Sequence, residues 1–327
     1  MYVAFDDWVQ TVEQEYLQDF ITQGGAAVKF VVAPSTHSAS GIRHMLESIA
    51  LRHNCQFAAI DSAVTKMHMI DQIFFEIARQ IDWDRLTGNL VITALRESGY
   101  ETPSDLNDLT YQRLAAFNGT SEPELRRAIR NRLQRVISSD FAMTQEFRLA
   151  IVRLAEAQLE ASTIDVSEQR AIQDWLRGDL RRIAALKSSL IFQKIARHNA
   201  RDMLLSLAHW LRLVGKDGMV LIIDMHRYLA TKRPADGSLY HTIGSVLDAY
   251  EVLRQFVDTT DELEGCFIAV IVPQEFVEPH AKRGLDRYAP LQTRIWNEVQ
   301  DRRVANPLAS LVRITPTNED AEVRPQW

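Results

Sequence analysis

Apolar positions along the chain fall into two patterns. Short, nearly continuous apolar runs occur at AVKFVVA (27–33), CQFAAID (55–61), MVLIID (219–224), CFIAVIVP (266–273) and SLVRIT (310–315). Runs of that length, rich in β-branched and aromatic residues, predict strands buried on both faces of a sheet. Between them apolar residues recur at helical spacing. This predicts helices over 8–23, 41–52, 64–81, 201–213 and 243–257; Ile70, Ile73, Phe74, Ile77 and Ile81 mark the apolar face of the third. Strands alternating with helices imply a parallel sheet with helices on both faces.

The pattern changes between 84 and 200. Proline almost vanishes, and Leu, Ala, Arg, Glu and Gln dominate. LRRAIRNRLQRVI, EFRLAIVRLAEAQLEA and DWLRGDLRRIAALKSSL all carry the 3.6-residue period. The expected organisation is a first part of an α/β core (1–83), a helical insertion (84–200) and a second part of the core (201–327). Removing the insertion leaves about 200 residues, a normal domain size.

The first strand runs into Ala33-Pro34-Ser35-Thr36-His37-Ser38-Ala39-Ser40. A phosphate-binding P-loop, G-x-x-x-x-G-K-[ST], occupies this place in a nucleotide-binding α/β domain. Its glycines let backbone N–H groups close on the phosphates, its lysine contacts them, and its hydroxyl holds Mg²⁺. Here Ala33 and Ser38 replace the glycines and Ala39 the lysine, while Ser40 still matches. The third strand ends in Asp224, as a Walker B strand does, where the carboxylate holds the Mg²⁺ shell. The next residue is Met225, which cannot accept a proton.

These segments resemble the BREX-associated ATP-binding proteins, a group of AAA/STAND-like P-loop ATPases encoded near phage-defence operons. GGAAVKFVVAPSTHSAS (24–40) is similar to the family's first strand and P-loop, and 55–81 to its second strand and helix. MLLSLAHWLRLVGKDGMVLIID (203–224) resembles the helix, glycine turn and Walker B strand. AYEVLRQFVD (249–258) and GCFIAVIVPQEFVE (265–278) are similar to the family's later helix and sensor strand, and RYAPLQTRI (287–295) and NPLASLVRI (306–314) to the close of its core. The likeness covers about 200 residues, and the helical block is expected to match least.

The resemblance implies a P-loop NTPase-like sheet with an eroded site. Ala39 stands where the family has lysine, Met225 where it has glutamate, and Pro273 near its polar sensor. Arg294 sits where the family keeps an arginine, a possible interface group. The resemblance also implies a C-terminal helical lid, and the chain as given is expected to lack one. A missing lysine removes a contact of roughly 1.5–3 kcal/mol, and a missing base costs roughly 10²–10⁴-fold in rate. The expectation is therefore a pseudo-ATPase with no catalytic residues and no required cofactor. Any residual Mg·ATP binding would be weak and would use Ser35, Thr36, Ser38, Ala39, Ser40 and Asp224. The expected partner is an intact ATPase or helicase of the same defence operon, with DNA engaged indirectly. The alternatives are a slow ATPase or weak ATP binder, and a DNA-binding module using the basic stretches 124–135 and 176–187.

Charge bears on the last alternative. The net charge of −6 argues against a broad surface for nucleic acid. No stretch reaches the roughly 18 apolar residues that span a bilayer, and the N-terminus lacks a signal-peptide pattern, so a cytoplasmic protein is expected. Cys55 and Cys266 sit in apolar runs and read as buried free thiols. The histidines show no zinc spacing, though His37 and His226 are both expected at the C-terminal edge of the sheet.

Overall fold

The computed structural model describes residues 2–103, 109–159, 166–233, 235–296 and 305–316. Five strands, β1 (Ala26–Val32), β2 (Gln56–Asp61), β3 (Met219–Asp224), β4 (Cys266–Val272) and β5 (Leu311–Arg313), form one sheet in the order β2-β3-β4-β1-β5. Every pairing is parallel. The fold is the α/β, P-loop NTPase-like architecture that the strand pattern implies. The chain divides into two compact units, 1–77 with 216–327, and 78–215. The boundaries expected from composition lay at 83/84 and 200/201.

Both sheet faces of the first unit are covered, which is why its strands are apolar throughout. Ala27, Val31, Phe267, Ala269, Ile271, Val220 and Ile222 share one core with the N-terminal helix and with α2 (Thr36–Arg52). On the opposite face Phe30 stacks on Phe276 at 5.9 Å, and Tyr250 of α10 (Ile243–Asp258) meets Phe276 edge-on. Lys29 breaks the apolar run of β1. It is buried, donates to the Leu308 carbonyl at 2.5 Å and lies over the Tyr16 ring. Cys55 and Cys266 are buried free thiols, and burial pushes the Cys55 thiol up to about 11.

The N-terminal helix, predicted over 8–23, starts earlier as α1 (Phe5–Thr11) and continues as a π-wound stretch, Val12–Phe20. The helix predicted from 64 begins only at Ile70, as α3 (Ile70–Arg79). Residues 62–69 form turns anchored by Ala63 N donating to Asp61 Oδ1 at 2.7 Å.

The second unit contains α4 (Trp83–Glu97), α5 (Tyr111–Phe117), α6 (Glu122–Leu133), α7 (Gln145–Leu159), α8 (Val166–Leu176) and α9 (Ala200–Leu213). Its core is aromatic: Trp83 stacks on Trp210 at 5.6 Å, and Phe147 meets both edge-on. One sequence prediction fails here. The periodic stretch 174–190 is not one helix, because α8 stops at Leu176. Gly178 follows with φ +78°, its N–H donates to the Trp175 carbonyl, and Asp179 N donates to the Asp174 carbonyl. That paired closure is a Schellman cap, and glycine permits it without a steric penalty. Beyond it, among the described residues, only a short 3₁₀ turn forms at Ile183–Leu186. Periodicity records which residues face inward; the cap decides where the helix ends.

Gly218, just before β3, lets that strand approach the backbone at Gly265. A β-carbon there would lie 2.5 Å from the Gly265 oxygen and 2.5 Å from Ile21 Cγ2. Gly218→Ala is expected to destabilise the protein by about 1–3 kcal/mol, the usual cost of overpacking against backbone. Urea unfolding of the two proteins measures this as a lower midpoint with an unchanged slope.

Candidate functional site

In open parallel sheets ligands bind outside the C-terminal ends of the strands, where the strand order reverses. Here the order reverses at β1, which is flanked by β4 and β5. The segments at that edge are 33–35 after β1, 225–242 after β3 and 273–288 after β4.

The first differs from its sequence prediction. The eight residues 33–40 have the length of a P-loop, yet only Ala33, Pro34 and Ser35 separate β1 from α2. Ser35 is the cause. Its backbone is extended, and its side chain accepts from the Ser38 N–H at 3.1 Å. That is N-cap geometry, and it starts the helix at once. Ser38 and Ala39 are buried in the first turn, while Thr36, His37 and Ser40 are exposed. No residue from 33 to 41 has a positive φ. A phosphate-wrapping nest alternates right- and left-handed residues, which glycine supplies most readily. The residues of this turn therefore do not fit the P-loop manner of holding Mg·ATP. What they retain is the N-terminus of a 17-residue helix.

Asp224 closes β3, and its neighbours act on it directly. Its Oδ1 accepts from the His226 backbone N–H at 2.9 Å and lies 3.2 Å from His226 Nδ1. Burial works to raise the Asp224 carboxyl. The His226 side chain and backbone outweigh it, Arg43 adds attraction, and the carboxyl is held below its ordinary value. Arg43 lies one helical turn beyond Ala39, on the same face of α2. Met225 is fully buried, and its N–H donates to the Ile271 carbonyl at 2.8 Å. His226 is 8% exposed at its side chain, and its Nε2 is buried with no hydrogen-bond partner among the described residues. His37 lies exposed in the first turn of α2, with β4 between its strand and that of His226.

A cavity of about 500 Å³ opens on the β3–β4 side of this edge, lined by His226, Leu229, Lys232, Pro273 and Glu275 among others. Residues 35–40 do not line it. Pro273 begins the turn after β4 and brings no donor.

The wall formed by 227–242 is held by residues that have no sequence motif. Buried Arg283 donates to the carbonyls of Tyr228 (3.2 Å), Ala230 and His241 (2.7 Å). Tyr228 stacks on His241 at 3.9 Å and donates to the Ser245 carbonyl. His241 lies 3.1 Å from the Ser62 carbonyl, and burial lowers its affinity for a proton. Only folding could reveal this cluster, because its members lie as far apart as 62 and 283.

Arg294 is drawn back against its own chain. It pairs with Asp258 of α10 and donates to the Pro290 carbonyl at 2.8 Å. It belongs to a clasp between α10 and α11 (Ala289–Trp296) that includes Glu251, Arg254 and Tyr288. This favours the surface ion pair over a group reaching toward a neighbouring subunit. In α6, Arg126 pairs with Glu122 at 2.9 Å, and Arg132 with Glu97. Arg130 lies 3.8 Å from Glu156. Three of the five arginines in the basic stretch 124–135 thus lie against glutamates, and 176–187 is not a helix. Both observations weigh against the DNA-binding alternative. Trp327 lies outside the described residues. No described helix is long and apolar enough to cross a membrane, and no described group of three or more His, Cys, Asp or Glu could hold a metal ion.

Two predictions arise here. Arg283→Met removes three carbonyl contacts at a buried position and is expected to loosen 227–242, read as faster amide exchange confined to that segment. Glu251 is held at about 2, chiefly by its bond to Arg254, against an ordinary 4.5. A depressed carboxylate stabilises the fold fully above its unfolded value, and that contribution disappears as pH falls through the folded value. The stability difference between the wild type and Glu251→Gln should therefore be constant above about pH 5 and shrink between pH 4.5 and 2. Denaturation across that range measures it.

No curated protein and no solved structure matches the chain. A family model, BREX system ATP-binding protein BrxC/D, matches residues 106–323, about two thirds of the chain. The matched span includes β3, β4, β5 and most of the helical block, which was expected to match least; it begins after β1, the 33–35 turn and β2. With a parallel sheet in the order β2-β3-β4-β1-β5 and a family match over most of its length, this chain belongs to the BREX system ATP-binding BrxC/D family.

Proposed function

We propose that this protein serves in BREX phage defence as a non-catalytic, pseudo-ATPase member of its family. In this role it is a scaffold or regulator for an intact ATPase or helicase. Membership of the family supports the defence role. The observation that carries the non-catalytic reading is the three-residue turn between β1 and α2, capped by Ser35. It offers no glycine nest and no lysine, and Met225 leaves no base after Asp224.

Magnitudes favour this reading over slow turnover. Losing the lysine removes roughly 1.5–3 kcal/mol of charge-assisted contact. Losing the water-activating group costs roughly 10²–10⁴-fold more in rate. Losing the backbone cradle removes the amides that would position the phosphates.

The purified full-length protein is expected to show no Mg²⁺-dependent ATP hydrolysis above background, and Asp224→Ala is expected to change nothing. Turnover in the wild type that disappears in Asp224→Ala overturns the proposal. For the scaffold role, a tagged pull-down from the native host should recover an intact ATPase or helicase. Recovery of this chain alone counts against it. Calorimetric ATP binding without turnover would point instead to a residual nucleotide binder.

A further inference from the structure

The non-catalytic reading leaves Asp224 unexplained. A carboxylate at the end of a buried strand is costly unless something compensates its charge, and here the compensation comes from the same chain. The His226 backbone N–H lies 2.9 Å from Asp224 Oδ1, and His226 Nδ1 lies 3.2 Å from the same oxygen. The backbone N–H, and Nδ1 in the tautomer that carries its proton there, thus converge on one oxygen, which has two lone pairs to offer.

We propose that His226 takes the place, from within the chain, of the divalent cation that a strand-end aspartate in this position would otherwise hold, and that it thereby weakens cation binding at Asp224. This rests on the non-catalytic reading and supplies its regulation at the same site.

Three further observations carry it. First, Met225 N–H is bonded to the Ile271 carbonyl of β4, which anchors to the sheet the residue between Asp224 and His226. Second, the His226 side chain is 8% exposed, whereas Asp224 retains 35%, so the imidazole is enclosed beside a carboxylate that solvent and ions still reach. Third, His226 Nε2 is buried with no hydrogen-bond partner among the described residues. A buried polar atom left unpaired is unfavourable. The ring is held in this orientation by what Nδ1 gains at Asp224, because Nε2 contributes no bond.

Magnesium and manganese bind carboxylate oxygens while keeping several waters in a nearly octahedral shell. At Asp224 Oδ1 such an ion would compete with the two contacts that His226 makes there, which leaves it the other carboxylate oxygen. Arg43, already within electrostatic range of Asp224, adds repulsion. A cation would have to displace a contact that the fold supplies without any loss of translational freedom.

The test uses Mn²⁺ alone, without nucleotide, so its result is independent of whether the protein turns over ATP. Electron paramagnetic resonance follows free Mn²⁺ during titration into the full-length chain. His226→Ala is expected to bind Mn²⁺ about ten-fold or more tightly than the wild type, the scale of one charge-assisted hydrogen bond. The gain should vanish in the His226→Ala, Asp224→Asn double variant. Should His226→Ala fail to fold by circular dichroism, His226→Leu fills the buried volume without a donor and should show the same gain. Wild-type affinity in a folded variant, or Asp224-dependent Mn²⁺ binding by the wild type as tight as by the variant, overturns the proposal.

Discussion

The pairing of β1 with β4 is the constraint on which the first unit depends. It places Ala26 opposite Cys266 and Val32 opposite Val272, segments about 240 residues apart in sequence. Closing so long a loop has an entropic cost that only extensive burial offsets. Both strands are accordingly buried along almost their whole length. Once they pair, β3 and β2 follow on one side and β5 on the other. The segments after β1, β3 and β4 then emerge at one edge of the sheet.

At that edge two short-range hydrogen bonds determine the chemistry. Ser35 caps α2 and converts most of a P-loop-length segment into helix. His226 engages Asp224, the one strand-end carboxylate retained from the Walker B pattern. Each is a local side-chain contact within a few residues in sequence. Together they set which donors and acceptors this edge of the sheet presents. The cavity lies on the β3–β4 side, with a wall held by buried Arg283. The cavity and the short turn after β1 thus occupy different parts of the same sheet edge.

Charge follows the same division between local pattern and tertiary placement. Arg126 and Arg132 of α6 pair with glutamates, and Arg294 pairs with Asp258. Surface pairs of this kind contribute little stability individually, about 0–1 kcal/mol. Their charge is compensated where they stand, at little cost in stability either way.

The sequence alone determined the strands and their parallel arrangement, because continuous apolar runs of six or seven residues have few other stable uses. It also determined the helical character of the middle block, the buried thiols, and the chemical identities at 33–40, 224 and 225. Tertiary structure decided the rest, for identifiable reasons. Where α2 begins depended on whether the Ser35 side chain would cap or remain in a loop, and both are compatible with the same residues. Where α8 ends depended on the left-handed backbone of Gly178, which interrupts an otherwise regular period. The Arg283 cluster joins residues from 62 to 283, so no spacing in the chain announces it. The orientation of His226 toward Asp224 was decided by the turn that follows β3, because a sequence lists donors and acceptors but not the directions in which they point.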